Sequence, residues 1–148
     1  MKAANIYIQG VIGENTTLID VIRQVESQKE ADVYNVYITS PGGLIEEGFD
    51  IYNYLVNLKQ KVNTYARGNC DSIATVIFQA GEKRFVDDNI NSFVIHNAHI
   101  NPALLGGSVD ANMLKQIEKE LRSQEDKITS FYTTKTPLDF KTLDSLMD

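Results

Sequence analysis

The order of elements along this 148-residue chain predicts an α/β fold with a mainly parallel sheet. Three observations lead there. Short runs rich in β-branched and aromatic residues recur at 5–9, 33–39, 62–66 and 92–95. The stretches between them carry apolar residues at helical spacing. The strand-like runs end on sharp turns, which is the grammar of βαβ units joined by right-handed crossovers.

Each element has its own signature. Residues 5–9 alternate apolar and polar and stop at Gly10. In 17–26, Leu18, Ile19, Val21, Ile22 and Val25 form a helical stripe, with Thr16 or Thr17 as N-cap. The strand 33–39 ends abruptly at Ser40-Pro41-Gly42-Gly43. A helix over 45–58 follows, with Phe49, Ile51, Tyr52, Leu55 and Val56 on its apolar side. Residues 62–66 form a third strand that breaks at Gly68, and a helix starts near Ser72 and runs to Gln79 or Ala80. Residues 92–95 read as a buried strand ending at His96, and 81–91 carry no element. After Gly106-Gly107 comes a long polar helix over 109–132, and Pro137 opens a short last helix. No repeat or low-complexity stretch divides the chain, so it is expected to form a single domain over 1–148.

Composition narrows the functions. A net charge of −6 and no basic stripe argue against nucleic acid or an anionic membrane as partner, because phosphate binding needs clustered Lys and Arg. The N-terminal residues alternate and lack the apolar core of a signal peptide, so a cytoplasmic location is expected. One cysteine, Cys70, and two histidines, His96 and His99, leave no internal disulfide and no cysteine or multi-histidine metal site. No cofactor is implied. The sequence contains no G-x-x-x-x-G-K-[ST] loop, so nucleotide-driven unfolding would have to come from a separate partner.

Chemistry gathers at the carboxyl ends of parallel strands, and three such ends carry Gly42-Gly43, Ser72 and His96. A serine hydroxyl is a poor nucleophile until a base takes its proton, and imidazole titrates in the right range. Acyl transfer also needs donors for the developing oxyanion. Ser72 stands where a loop becomes a helix, so the Ile73 N–H is the natural first donor, and Gly43 on a neighbouring loop can supply the second. Taken singly, each residue has a plainer reading: Ser72 as a helix N-cap, His96 as a strand-end histidine bound to backbone, Pro41-Gly42-Gly43 as a tight turn.

Together the segments resemble the Clp protease proteolytic subunit (ClpP) family. The carrying residues are Ile38-Thr39-Ser40-Pro41-Gly42-Gly43, then Gly48 and Tyr52, Gly68-Asn69-Cys70-Asp71-Ser72-Ile73-Ala74, Ala80-Gly81 with Lys83-Arg84-Phe85, and Val94-Ile95-His96-Asn97. The Ile-His-Asn wording and the long polar helix look closer to the phage and prophage branch of head maturation (prohead) peptidases. The resemblance implies a ClpP/crotonase fold of repeated ββα units with a protruding handle helix. It implies a serine endopeptidase with Ser72 as nucleophile, His96 as base and the Gly43 and Ile73 amides as oxyanion hole. It also implies a homo-oligomeric ring acting on peptide or protein substrates. Its partner would be a separate AAA+ unfoldase or a phage capsid or scaffold protein. In the ring, the helix over 109–132 would contact other subunits, and its stripe of Met113, Ile117, Leu121 and Ile128 fits burial.

The chain departs from the family pattern in two places. Small residues usually precede the serine, whereas this chain has Cys70-Asp71. Cys70 is expected to be a buried filler. Asp71 is expected to point away from the oxyanion pocket and cap the helix. The third triad member, which would hold the histidine's tautomer, falls at Asp148, with Asp144 a weaker choice, and the family's C-terminal strand and helix are missing. Two other readings share the fold: an assembly or scaffold subunit whose site has decayed, and a crotonase-like acyl-CoA enzyme, which needs neither Ser72 nor His96.

Overall fold

The computed structural model describes residues 1–147 and divides the chain into two compact units, Met1–Ile95 and His96–Asp148. The first unit is a βαβ array: β1 (Ala3–Gln9), α1 (Leu18–Glu26), β2 (Val33–Ser40), α2 (Ile45–Val56), β3 (Lys61–Asp71), α3 (Ile73–Phe78), β4 (Lys83–Val86) and β5 (Ser92–Val94). The strands lie in the order β1-β2-β3-β4, all parallel, and β5 also pairs with β3. The expected α/β fold with a parallel sheet is what the chain adopts.

The helices start and stop where local chemistry dictates. Thr17 caps α1 in a full capping box: its side chain accepts from the Asp20 N–H, and the Asp20 carboxylate accepts from the Thr17 N–H. The Thr17 hydroxyl, and then the Thr17 N–H, donate to the Asp20 carboxylate and hold it below its usual range. Gln24, on α1, reaches back to the exposed side of β1. Its amide accepts from the Tyr7 N–H at 2.7 Å and donates to the Tyr7 carbonyl at 2.9 Å. A side chain thus takes the place of a further strand and blunts the sheet edge.

With a strand order that rises steadily, right-handed crossovers put α1, α2 and α3 on one side of the sheet. Ile6, Ile8, Val36, Ile38, Thr64 and Ala66 face that side and are fully buried, together with Val21, Ile51, Leu55, Ile73 and Ile77 from the helices. The opposite face is left uncovered by α1, α2 and α3. It carries instead an aromatic row in exact register, Tyr7↔Tyr37↔Tyr65↔Phe85. Successive rings stack at 5.6, 4.8 and 4.8 Å, and the Arg67 guanidinium lies 4.2 Å from the Tyr37 centroid.

Three sequence expectations change here. β3 does not break at Gly68. The register slips from Ile38↔Ala66 to Ser40↔Cys70, so Arg67, Gly68 and Asn69 oppose Thr39 alone and the strand bulges through. Gly68 takes the left-handed φ of +59° that the bulge needs. Beyond the bulge the ladder resumes and receives β5, with Asn69↔Ser92, Cys70↔Phe93 and Asp71↔Val94. β4 pairs with the earlier half of β3, although residues 83–86 carry no strand signal of their own. β5 is not buried: Phe93 is 41% and Val94 46% exposed, because the strand lies off the main path of the sheet and has β3 as its partner.

The second unit contains a short 3-10 turn, Pro102–Leu105, then α4 (Ala111–Lys135) and α5 (Phe140–Met147). Asp110 caps α4 by accepting from the Met113 N–H. Ile128, Thr129 and Tyr132 of α4 are buried with Leu143 and Met147 of α5. The stripe expected to be buried is so only at Ile128. Met113 is exposed, and Ile117 and Leu121 are partly exposed, since α5 is a short helix and the stripe runs over nearly the whole of α4. Among the described residues no helix is long and apolar enough to cross a membrane.

Two outcomes test this packing. Tyr37 stacks on two rings and under Arg67, so Tyr37→Ala is expected to cost about 2 kcal/mol in urea denaturation; a loss under about 0.5 kcal/mol would show that the row is decorative. Cys70 is fully buried. Burial first, and then the Asp71 charge, push its thiol up to about 12 from an ordinary 9.0. Below pH 9 both folded and unfolded chains keep the proton. Above it only the unfolded chain releases it, so stability falls as pH rises from 9 toward 12. Cys70→Ala should make that fall shallower, and an unchanged slope would contradict the assignment.

Candidate active site

The site is built at the end of β3. Ser72 follows the last residue of that strand and precedes α3. Its φ of 55° and ψ of −131° make it the one described non-glycine residue with positive φ. A conformation of this kind costs on the order of 1–3 kcal/mol and persists only where the surroundings over-determine it. Ser72 occupies the N-cap position, yet its side chain makes no capping hydrogen bond. The plainer reading of Ser72 as a cap therefore does not hold, and its hydroxyl is not spent on the helix.

The turn after β2 lies directly against it. A Cβ on Gly42 would come within 2.7 Å of the Ser72 Cβ and 3.2 Å of its Oγ. Gly42 also has a φ of +101°, so only glycine fits, for both space and backbone. The turn is fixed by Ser40, whose Oγ accepts from the Gly42 N–H at 3.0 Å. Residue 12 holds it from the other side: the Ile12 N–H donates to the Gly42 carbonyl at 2.9 Å, and the Leu44 N–H donates to the Ile12 carbonyl at 2.9 Å. Among the described residues, neither the Gly43 amide between those two bonds nor that of Ile73 at the start of α3 has a backbone acceptor. The structure thus brings Gly42, Gly43, Ser72 and Ile73 to neighbouring strand ends, as the sequence pattern required.

Asp71 points away from the helix, but it does not cap it. Its Oδ1 accepts from the Val94 N–H at 3.1 Å. Its Oδ2 accepts from the Ser92 hydroxyl at 2.7 Å and from the Asn69 amide at 3.3 Å. The expected capping role is replaced because three donors on β3 and β5 converge on the carboxylate. The Val94 carbonyl in turn accepts from the Ser72 N–H at 2.7 Å. Ser92 and Val94 lie more than twenty residues on in the chain and had no local signal in the sequence.

His96 opens the second unit. Its Nδ1 lies 2.6 Å from the Asn97 carbonyl oxygen. A carbonyl can only accept, so this contact puts the hydrogen on Nδ1 and leaves the Nε2 lone pair as the basic site. The His99 ring lies beside it, with centroids 5.0 Å apart. Asp144 lies within α5, and Asp148 lies outside the described residues.

The chain matches the family model described as Clp protease over residues 1–148. It is 32% identical over 117 residues to an ATP-dependent Clp protease proteolytic subunit of Bdellovibrio bacteriovorus, covering 77% of this chain and 53% of that protein. It is 32% identical over 85 residues to the same-named subunit of Carsonella ruddii, covering 56% and 43%, and 25% identical over 150 residues to that of Leuconostoc citreum, covering 97% and 72%. Against the first two, it spans about half the length of the relative. The fold is that of a mutant ClpP1 from Listeria monocytogenes, with a TM-score of 0.80 at 19% identity over 98% of this chain and 79% of that one. With its whole length matched by the family model and its parallel sheet matched by a solved relative, the chain belongs to the Clp protease family.

Proposed function

We propose that this protein is a ClpP-type serine endopeptidase subunit with Ser72 as nucleophile and His96 as general base. The carrying observation is the backbone of Ser72: a non-glycine residue held at φ 55°, its hydroxyl unused by the helix, with Gly42 pressed against it. The Ser72 Oγ attacks the scissile carbonyl carbon while its proton passes to His96 Nε2. The carbonyl electron pair moves onto oxygen, where the Gly43 and Ile73 amides donate to it. Collapse of that intermediate breaks the C–N bond, and His96 returns the proton to the leaving amine. Water then attacks the acyl-enzyme by the same route and frees Ser72. The Asn97 carbonyl holds the Nδ1–H tautomer in the role that Asp148 is proposed to complete.

A homo-oligomeric ring is part of this reading. Its support is the first half of α4, where Met113, Leu114, Ile117 and Leu121 keep apolar surface at least partly exposed. The Ile-His-Asn wording and the polar length of α4 favour the phage branch and a cytoplasmic capsid-associated substrate, with a separate AAA+ unfoldase as the other partner.

Reaction with a fluorophosphonate probe tests the chemistry. Wild type should label, Ser72→Ala should not, and His96→Ala should label at least about a hundredfold more slowly. No labelling in any assembly state would sink the peptidase, and an unlabelled protein that still forms rings would be a scaffold subunit. Ile117→Glu should lower the sedimentation mass toward one chain, whereas an unchanged mass would place the subunit contact elsewhere.

A further inference from the structure

From the hydrogen bonds around Val94 we propose that Asp71 is a positioning residue for Ser72, acting through β5. This rests on the reading of Ser72 as nucleophile. Consecutive residues grip both sides of one peptide-bearing residue: the Asp71 side chain takes the Val94 N–H at 3.1 Å, and the Ser72 N–H donates to the Val94 carbonyl at 2.7 Å. The result is a closed loop through 71, 72 and 94. The loop fixes the peptide that leads into the strained residue.

β5 needs this tie. It has three residues, pairs among the described residues with β3 alone and leaves Phe93 and Val94 exposed. Phe93 meets Phe78 edge-on at 5.4 Å, which anchors the middle of the strand but not its end. The second carboxylate oxygen secures the start, through the Ser92 hydroxyl at 2.7 Å, and the Asn69 amide braces that hydroxyl at 2.8 Å. An aspartate is suited to the position because its two oxygens accept from different donors at once. Alanine offers neither acceptor. Asparagine keeps one oxygen for the Val94 N–H and can donate from its amide to the Ser92 oxygen.

The test measures two things in the full chain: the saturating rate of fluorophosphonate acylation at Ser72, and amide hydrogen exchange at Ser72 and Val94. Asp71→Ala should slow maximal acylation about a hundredfold, leave the half-saturating probe concentration unchanged and speed exchange at Ser72. Asp71→Asn should restore most of both. A merely structural aspartate would instead lower thermal stability without that split between rate and binding, and without rescue by asparagine. A folded Asp71→Ala protein that acylates and exchanges like wild type would overturn the proposal. If Asp71→Ala does not fold, Ser92→Ala serves, with about a tenfold slower acylation expected; no change would again overturn it. If wild type itself does not acylate at Ser72, the nucleophile reading falls, and exchange decides alone: faster at Ser72 in Asp71→Ala supports the clamp, and unchanged exchange removes it.

Discussion

A parallel strand can be reached only by a crossover, and crossovers turn right-handed. In a sheet that adds strands in sequence order, this handedness sends α1, α2 and α3 to one side. Every strand then delivers its carboxyl end to the same margin, where the Gly42-Gly43 turn and Ser72 meet. The same constraint keeps α1, α2 and α3 off the other face. The aromatic row Tyr7-Tyr37-Tyr65-Phe85 supplies on that face the side-chain contacts that a second helical layer gives most parallel sheets.

Within that frame the bulge at Gly68 has the largest consequence for the site. The bulge lets β3 run on past the end of its pairing with β4. The extension Asn69–Asp71 then has a free edge, which β5 occupies. Had the strand stopped at Gly68, nothing would present the amides and carbonyls that hold Ser72. The strain at Ser72 is thus sustained from three directions: the Gly42 turn against its Cβ, the Val94 carbonyl on its amide, and α3, whose first residues Ile73 to Val76 are all buried.

Much of this was legible in the sequence, and for identifiable reasons. The helices announced themselves by apolar spacing and by Thr17, and the strand ends by Gly10, by Pro41-Gly42-Gly43 and by the serine turn. What escaped reading depends on partners distant in the chain. β4 is exposed at all four positions, so it has no alternation to betray it. β5 looked buried because it is apolar, although it lies off the main sheet. Asp71 reads as a helix cap by local rules, but its donors come from Ser92 and Val94. The left-handed backbone of Ser72 has no signal in residue type at all, since serine is not a residue that favours it.

The placement of Asp71 also resolves an electrostatic difficulty. A carboxylate one residue from the proposed nucleophile, left loose, would oppose the negative charge that builds on an oxyanion nearby. Here its two oxygens are engaged by an N–H, a hydroxyl and an amide. Each of these dipoles points its positive end at the carboxylate and screens its charge from the other side of the strand. The side chain is held on the β5 flank of β3, while the Gly43 and Ile73 amides belong to the turn after β2 and the start of α3. A residue that would harm an oxyanion site if free becomes compatible with it once its acceptors are filled, and filling them is what anchors β5.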